Sequence, residues 1–144
     1  MAMTMHVNIV SAEAEIFSGT VTQVFAPALM GEVGIYPRHT QMLTQLKPGE
    51  VRVVKENGDE DFFFVSGGML EVQPHMVTVL SDTAVRAKDL DEAKAVEAKN
   101  RAEQALKDRK SDMDYARAEA ELADAIARLQ AIQRMRRKFG GTRS

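Results

Sequence analysis

The sequence predicts a β + α protein, in which an N-terminal flattened β-sandwich is followed by a C-terminal antiparallel two-helix hairpin. Glycine, proline, phenylalanine and β-branched residues are concentrated before residue 86. No proline follows Pro74, and no glycine lies between Gly68 and Gly140. The later stretch is rich in alanine, glutamate, lysine and arginine, which favour helix, whereas glycine and proline punctuate strands and turns.

Short strands separated by turn residues account for the first part of the chain. Residues 51–65 predict a β-hairpin, because Asn57-Gly58 supplies the positive φ that a tight hairpin turn needs. The other predicted elements are strands at 6–10, 21–26, 67–73 and 76–81 and turns at Ser18-Gly19 and Pro74-His75. The predicted core residues are Phe17, Val24, Ile35, Leu43, Val53, Leu70 and Val79. Evenly spaced short strands of this kind are typical of a sandwich or a flattened barrel.

Two amphipathic helices follow, separated by the polar segment 107–114. The first, at 88–107, begins with a capping-box pattern of Asp89 and Glu92. The second begins at Ser111 or Asp112, runs to about residue 138, and has an apolar stripe of Tyr115, Leu122, Ile126, Leu129 and Ile132 with Ala118 and Ala125 beside it. Alanine dominates the predicted contact between the helices and buries little apolar area. The pattern therefore fits both a static hairpin and a second helix that leaves its partner for another surface.

Composition excludes several classes of protein. A hydrophobic fraction of 44% is too high for a disordered chain, and the absence of cysteine excludes a disulfide framework. The start of the sequence does not resemble a signal peptide, and no apolar run is long enough to span a membrane. Residues 1–85 carry four basic and ten acidic side chains, and residues 86–144 carry fifteen basic and eleven acidic ones. The basic end of the chain either binds an acidic partner or is a solvated helix end.

The sequence contains no recognisable catalytic or metal-binding motif. Its three histidines are dispersed, and no GxSxG, GxxxxGK[ST] or GxGxxG pattern occurs. The helical charges predict a solvated, self-paired face, with Glu97 beside Arg101 and Glu103 beside Lys107. The nine methionines are predicted mainly to fill gaps in the core. We therefore expect a protein that is not an enzyme and that acts through its interfaces.

Three stretches together resemble the epsilon subunit of bacterial F-type ATP synthase. They are GEVGIYPRHTQMLTQLKPGEVRV (31–53), FVSGGMLEVQPHMVTVLSDTAVR (64–86), and DLDEAKAVEAKNRAEQAL (89–106) with DYARAEAELADAIARLQ (114–130). The similarity runs from about Met3 to Lys138. It implies a β-sandwich domain at 1–86 that binds the gamma subunit and the c ring, and a regulatory helical hairpin at 87–139. Residues 140–144 form a tail that fits the family less well.

The resemblance also implies a function. Members of this family are non-catalytic central-stalk subunits of the rotor of a proton-translocating ATP synthase. They couple the catalytic head to the membrane c ring and inhibit ATP hydrolysis through the C-terminal helix. The implied partners are the gamma subunit, the c-subunit ring, and the alpha and beta subunits through that helix. Nucleic acid is not among them, and the membrane is contacted only through the complex, at the cytoplasmic face of the bacterial inner membrane.

Individual residues carry this resemblance. Glu32, in a Gly31–Gly34 turn, matches the contact to the c ring, and His39 matches the gamma-facing surface. Arg128, Arg134, Arg136 and Arg137 lie where the family presents basic side chains to acidic loops of the beta subunits. The inhibitory helix also includes Leu122, Ile126, Leu129, Ile132 and Lys138.

Some members of the family bind ATP through a motif that here reads Leu90-Asp91-Glu92-Ala93-Lys94-Ala95, together with Arg101 and Arg128. Lys94 replaces the fork-shaped guanidinium of an arginine, which removes bidentate phosphate recognition. Asp124 stands where a nucleotide-binding member has a basic residue. We therefore predict weak or absent ATP binding and no cofactor. Arg38 replaces a usual glycine, which predicts that the backbone there does not need positive φ.

Two other functions compete with the rotor subunit. One is a free-standing adapter or chaperone-like module that grips client proteins with the helical hairpin. The other, a nucleotide-dependent hydrolase that uses the Leu90–Ala95 region, lacks an accompanying nucleophile, metal site or general base in the sequence. Co-purification with the gamma subunit separates the first from the rotor subunit, and a turnover assay tests the second.

Overall fold

A computed structural model describes residues 3–108 and 112–139; the side chains of residues 112, 138 and 139 are outside the description. The chain divides into two compact units, Met1–Arg86 and Ala87–Ser144. The first is built from β-strands and the second from helices, which confirms the predicted β + α fold class. The predicted tail at 140–144 lies outside the described residues.

Seven strands form the described part of the N-terminal unit. They are β1 (Met5–Ser11), β2 (Glu15–Ala28), β3 (Gly31–Ile35), β4 (Met42–Lys55), β5 (Glu60–Val72), β6 (Met76–Ser81) and β7 (Ala84–Arg86). Hydrogen bonding runs in the order β1–β6–β5–β4–β2–β3, while β7 pairs with β5 and β1 also pairs with β2. Strands β1 and β6 are parallel, and the other pairs are antiparallel. Because β1 contacts both β2 and β6, five strands close into a ring around one core.

The core contains most of the residues that the alternation of the strands predicts. Phe17, Val24, Ile35, Val53, Leu70 and Val79 are all buried. The rings of Phe17 and Phe63 pack with their centroids 5.4 Å apart, inside a cluster to which all seven strands contribute. Large apolar side chains removed from water in this way supply the main stabilisation of a domain of this size.

Leu43 is an exception, and the prediction that it is buried is wrong. Its side chain is 67% exposed. The reason is a change in the alternation of β4, whose buried side chains are Leu46 in the first half and Val51 and Val53 in the second. The inward positions are therefore even-numbered before Pro48-Gly49 and odd-numbered after it. A side chain displaced by one position in this alternation points to the opposite face of the sheet.

The predicted turn at Ser18-Gly19 is also wrong, because both residues lie inside β2 and pair with β1. A Cβ atom on Gly19 would lie 3.1 Å from the ring of Phe17, so glycine leaves room for that buried ring. The chain reverses earlier, at residues 12–14. There the hydroxyl of Ser11 accepts a hydrogen bond from the amide of Ala14 at 3.2 Å.

The two other predicted turns are confirmed. At the β4–β5 turn Gly58 has a φ of +89°, and the amide of Lys55 donates to the carbonyl of Asp59 at 2.8 Å. At the β5–β6 turn, which contains Pro74-His75, Gln73 and Met76 exchange backbone hydrogen bonds. Both turns fix the register of the strands that they connect.

Arg38, in the loop between β3 and β4, has a φ of +67°, so the prediction that this position does not need positive φ is wrong. A side chain with a Cβ atom reaches this conformation only at a cost of about 1–2 kcal/mol. The amide of Arg38 donates to the carbonyl of Pro74 at 2.9 Å. This hydrogen bond ties the loop to the β5–β6 turn and holds the strained conformation.

We expect Arg38→Gly to raise the free energy of unfolding by about 0.5–1 kcal/mol, because relief of the backbone strain exceeds the extra entropy of glycine in the unfolded chain. Urea denaturation of the full chain measures this change. Arg38→Ala is the control, since it removes the guanidinium but keeps a Cβ atom in the same conformation. A glycine variant that is no more stable than the alanine variant would contradict the prediction.

The C-terminal unit consists of a short 3-10 helix and two α-helices. These are the 3-10 helix Ala87–Asp89, α1 (Glu92–Lys107) and α2 (Asp112–Phe139). The predicted capping box at Asp89 is wrong: Asp91 is the N-cap, and its Oδ1 accepts a hydrogen bond from the amide of Lys94 at 3.3 Å. Ser111, one of the two residues predicted to begin the second helix, lies outside the described residues.

Alanine dominates the buried positions of both helices. Ala95 and Ala102 on α1, and Ala118, Ala125, Ala127 and Ala131 on α2, are buried. Ile132 is the large side chain among the buried positions of the described helical residues. The predicted self-paired helical face is confirmed with other partners than the two predicted examples: Glu103 meets Lys99 at 3.7 Å, and Arg117 meets Glu121 at 3.4 Å. Because the buried positions are mostly alanine, the two helices pack through small side chains that each bury little apolar area.

Candidate partner-binding surfaces

Within residues 3–108 and 112–139, no group of three or more histidine, cysteine, aspartate or glutamate side chains is arranged to hold a metal ion. The described helices also include none that is long and apolar enough to cross a membrane. Three surfaces of the described chain carry exposed apolar or clustered charged side chains.

The first surface is the outer face of the sheet formed by β1, β6, β5 and the first half of β4, which we name the outer face. Cross-strand pairing places Leu80 beside Val10 on one side and Met69 on the other. Leu80 is 47% exposed, and Leu43, which follows on β4, is 67% exposed. Met76 is exposed at the far end of β6. The outer face thus presents apolar side chains to solvent in adjacent strands.

A shallow hollow of about 350 Å³ lies at one end of the outer face. Met69, Leu80 and Val10 supply its apolar wall, and Ser11 and Asp82 supply polar atoms at its edge. Its lining includes Gly68, where a Cβ atom would lie 1.9 Å from the backbone oxygen of Leu80 on β6. An apolar hollow with a polar rim is typical of a protein-binding surface.

The second surface is the tip of the β2–β3 hairpin. Leu29 and Met30 form the turn, and their side chains are 53% and 100% exposed. Glu32 follows on β3, opposite Pro27, with an exposed side chain. The predicted Gly31–Gly34 turn is therefore wrong, because these residues belong to β3. The hairpin tip combines two projecting apolar side chains with a nearby carboxylate.

His39 lies in the loop after β3, away from the hairpin tip. Its Nδ1 lies 2.6 Å from the carbonyl oxygen of Thr40, to which a protonated Nδ1 donates, and its amide donates to the carbonyl of Tyr36 at 3.2 Å. Glu32 is the second residue of β3, whereas His39 lies four residues after the strand ends at Ile35. The structure thus places the two predicted contact residues in different parts of the sandwich surface.

Two residues of the predicted nucleotide motif have structural roles in α1. Asp91 caps α1, and Ala95 is buried, while Lys94 is exposed and Leu90 is half-buried. On α2 the Nε of Arg128 lies 3.0 Å from Oδ2 of Asp124, within the same helix. Asp124 therefore neutralises one of the two arginines that the motif would offer to phosphate.

The second arginine of the motif, Arg101, lines a hollow of about 440 Å³ between the helices. Arg117 adds a second guanidinium to this hollow, and the remaining charges are the carboxylates of Asp108, Asp114 and Glu121. The residues that line this hollow thus include three carboxylates and two guanidinium groups.

The third surface is the C-terminal half of α2. Leu122 and Leu129 are half-buried, Ile126 is 36% exposed and Ile132 is 3% exposed. Arg134, Arg136 and Arg137 are exposed within one turn of each other. Arg136 forms an ion pair with Glu92 at the start of α1. The side chain of Lys138 lies outside the described residues.

Sequence reasoning missed the outer face and the hairpin tip. It placed Leu43 in the core and treated the methionines as core residues, but Met30, Met69 and Met76 are exposed. A signal was present: Leu80 and Met69 fall at outward positions of strands whose alternate residues, Val79 and Leu70, are strongly apolar. Strands that are apolar on both faces need cover on both faces.

Comparison with known families accounts for the arrangement. The N-terminal unit matches the family described as ATP synthase, Delta/Epsilon chain, beta-sandwich domain, over residues 4–87. The helices match the family described as ATP synthase, Delta/Epsilon chain, long alpha-helix domain, over residues 88–133. A β-sandwich with exposed apolar surfaces, followed by this helical domain, defines a subunit of the delta/epsilon class of ATP synthase.

Relatives narrow this class to one subunit. The chain is 71% identical to the ATP synthase epsilon chain of Nitrosococcus oceani over 140 residues, covering 97% of this chain and 100% of the relative. It is 67% identical to the epsilon chain of Thioalkalivibrio sulfidiphilus, covering 95% and 98%. The chain belongs to the epsilon chain family of ATP synthase and is a non-catalytic subunit.

Two solved assemblies contain chains of the same fold. One, from the Euglena gracilis mitochondrial ATP synthase with its F1 and c ring, aligns with a TM-score of 0.79 at 21% identity, covering 86% of this chain and 78% of that one. The other, from the central stalk and c ring of the Tetrahymena thermophila mitochondrial ATP synthase, aligns at 0.60 and 14% identity, covering 89% and 96%. At these low sequence identities, the structural similarity shows that the chains share a fold.

Proposed function

We propose that the chain is the central-stalk rotor subunit that couples the catalytic head of a proton-translocating ATP synthase to the membrane c ring, and that it inhibits ATP hydrolysis through α2. Family membership supports the first part. The observation that carries the proposal is the outer face, where Leu43, Met69 and Leu80 are exposed on an otherwise well-packed sandwich. Exposed apolar side chains grouped on one face of a sheet mark an interaction site.

We assign the outer face to the gamma subunit and the tip of the β2–β3 hairpin to the c ring. The outer face is broad, spans four strands and contains a hollow, which suits a large and permanent interface. The hairpin tip is narrow and projecting, and places Glu32 beside Leu29 and Met30. It suits insertion among the short loops of a ring, where a carboxylate can meet a basic side chain.

Two substitutions test this division. We expect Leu80→Glu to weaken capture by an immobilised gamma subunit at least about tenfold, because burying a leucine is worth about 1.5–3 kcal/mol and a buried charge costs more. Met30→Glu makes the same chemical change at the hairpin tip and should leave gamma capture near the wild-type level while weakening association with isolated c rings. Circular dichroism confirms that both variants are folded.

Equal loss of gamma capture in the two variants would contradict the assignment of the outer face. Retention of gamma capture by Leu80→Glu would remove the observation on which the proposal rests. The free-standing adapter that grips clients through its hairpin predicts no dependence of complex assembly on either residue. Membership of the epsilon chain family argues against that alternative.

The inhibitory part of the proposal concerns α2. Its C-terminal half presents Arg134, Arg136 and Arg137 on one segment, and its buried positions are mostly alanine, which hold it weakly on α1. We propose that this segment contacts acidic loops of the alpha and beta subunits. Charge-assisted hydrogen bonds of this type are worth about 1.5–3 kcal/mol each. The chain itself sits peripherally, at the cytoplasmic face of the bacterial inner membrane, and reaches the membrane only through the complex.

We propose that ATP binds weakly or not at all. Calorimetry of the isolated chain with millimolar ATP should give no micromolar binding, which would correspond to about 8 kcal/mol. The double change Lys94→Arg with Asp124→Arg should raise the affinity, because it restores a guanidinium and removes the carboxylate that pairs with Arg128. Lys94→Arg alone is the control, and micromolar binding by the unmodified chain would contradict the prediction.

A further inference from the structure

We infer that the ion pair between Glu92 and Arg136 is a latch. It holds α1 and α2 together at the end of the helical hairpin that lies opposite the connection between the two helices. Nη2 of Arg136 contacts Oε2 of Glu92. The other ion pairs seen within the helical unit, such as Lys99 with Glu103 and Arg117 with Glu121, connect successive turns of one helix. The Glu92–Arg136 pair instead joins α1 to α2.

The pair lies far from the connection between the two helices, so it opposes their separation effectively. The helices are covalently connected through residues 108–111, whereas Glu92 begins α1 and Arg136 lies in the last turn of α2. At 1.5 Å per residue, the 16 residues of α1 place the pair about 24 Å from the connection. A contact at this distance opposes splaying of the hairpin more effectively than one near the connection. Ile132, one turn before Arg136, is buried at the same end.

Each member of the pair also suits its own helix end. Glu92 is the first residue of α1, where the partial positive charge of the helix N-terminus favours a carboxylate. Arg136 lies at the C-terminal end of α2, where a cation is favoured. Each charge therefore stabilises its own helix, and only the contact between the two charges depends on the closed hairpin. A double-mutant cycle separates that contact from the contribution of each charge to its own helix.

The ion pair contributes little free energy to the closed hairpin, because both of its side chains are partly exposed. The side chains of Glu92 and Arg136 are 41% and 61% exposed, so solvent and salt screen their attraction. An exposed pair of this kind changes an equilibrium by about 1.5- to 5-fold. Because the helices otherwise meet mainly through alanine, this small effect acts on a weakly held structure. A weak latch can be released by a competing partner.

Hydrogen exchange on the full isolated chain measures the latch, because α1 has only 16 residues and is marginally stable in water without its partner helix. When the hairpin opens, the amides of α1 can therefore exchange, and in the fast-closing regime their exchange rate is proportional to the open population. The variants Glu92→Gln, Arg136→Gln and the double change form a double-mutant cycle. We expect each single change to accelerate exchange about 1.5- to 5-fold at Ala95 and Ala102 on α1 and at Ala125 on α2. The double change should add little, since either single change already breaks the pair.

Arg137 provides a matched control on the same turn of α2. It is exposed, carries the same charge and makes no ion pair within the part of the chain that the structure describes. A cycle of Glu92→Gln with Arg137→Gln should therefore be additive. Equal coupling of Glu92 to the two arginines, or no effect of Arg136→Gln on the amides of α1, would overturn the latch.

The latch has a regulatory consequence that rests on the proposed function. Glu92 competes for the guanidinium that we assign to an acidic partner, so Glu92→Gln should deepen inhibition of ATP hydrolysis in the assembled enzyme, whereas Glu97→Gln, on an exposed part of α1, should not. The two proposals fail separately. Coupling in the exchange cycle without an effect on hydrolysis supports the latch and counts against α2 as the inhibitor. Absence of coupling overturns the latch, whatever the hydrolysis rate.

Discussion

Deletion of residues 121–144 is expected to accelerate ATP hydrolysis by the assembled enzyme several-fold while leaving assembly and coupling intact. The deletion removes Arg128, Arg134, Arg136 and Arg137 together with the more buried half of α2. Loss of even one charge-assisted contact, worth about 1.5 kcal/mol, shifts the ratio of inhibited to active enzyme about tenfold. The sandwich unit, which carries the outer face and the hairpin tip, is unchanged. Steady-state hydrolysis by the reconstituted complex measures the effect.

Two further variants separate charge from bulk in this experiment. Deletion of residues 140–144 alone removes the end of the chain and should leave inhibition unchanged. Replacement of Arg134, Arg136 and Arg137 by alanine in the full-length chain should release part of the inhibition, and high salt should weaken what remains. A truncated enzyme that hydrolyses ATP no faster than the intact one would favour a static hairpin that acts only as a spacer.

The division into strands and helices was predictable from the sequence because it depends on local chemistry. Asn57-Gly58 adopts the predicted hairpin turn, and the change from glycine- and proline-rich to alanine-rich sequence coincides with the change from strand to helix. These signals act over a few residues and do not depend on distant parts of the chain. The alternation that buries Val53, Leu70 and Val79 is equally local.

The errors arise where the three-dimensional path of the strands decides, and not the residue type alone. Gly19 resembles a turn residue, but its lack of a side chain accommodates the ring of Phe17 within a strand. Leu43 follows the alternation of Val53, but β4 changes its inward positions at Pro48-Gly49. Arg38 reaches positive φ because Pro74, from another turn, accepts its amide hydrogen. Pro74 is distant in the sequence, and the effects of Phe17 and of Pro48-Gly49 appear only once the strands have formed.

The candidate sites show the same limit. Family resemblance indicated Glu32, His39 and the arginines of α2 as functional residues, but residue types alone could not reveal that Arg136 is paired with Glu92. The pairing depends on the helices being antiparallel and in one register. Similarly, Leu80 and Met69 form one apolar surface only because β6 lies beside β5. Surfaces composed from several strands become visible only when the strand order is known.

Gly68→Ala should be the most destabilising single substitution that we consider, with a loss of more than about 4 kcal/mol in the free energy of unfolding of the sandwich. A Cβ atom at this position would lie 1.9 Å from the backbone oxygen of Leu80, and 2.9 Å from Cα of Ser81. Both contacts are to backbone, so no side-chain rotation can relieve them. Gly68 also has a φ of +129°, which strains any side chain.

Gly31→Ala separates the two causes. Gly31 has a similar φ of +134°, but a Cβ atom there would meet nothing within 4 Å. This control should therefore show the backbone strain alone, about 1–3 kcal/mol. For a domain of this size each lost kcal/mol lowers the melting temperature by about 4–8 °C, so Gly68→Ala should lower it by at least about 15 °C. Thermal unfolding followed by methyl NMR signals of Val7 and Val79 reports on the sandwich without interference from the helices.

The same substitution should abolish gamma capture at temperatures where the variant is still folded. Gly68 lets β5 approach β6 closely, and the two strands carry Met69 and Leu80, which are opposite each other in the outer face. Forcing β6 away by the width of a methyl group separates these side chains and opens the hollow between them. Gly31→Ala lies at the hairpin tip and should retain gamma capture. If Gly68→Ala is no less stable than Gly31→Ala and still binds gamma, β5 and β6 tolerate a wider spacing, and the outer face does not depend on their close approach.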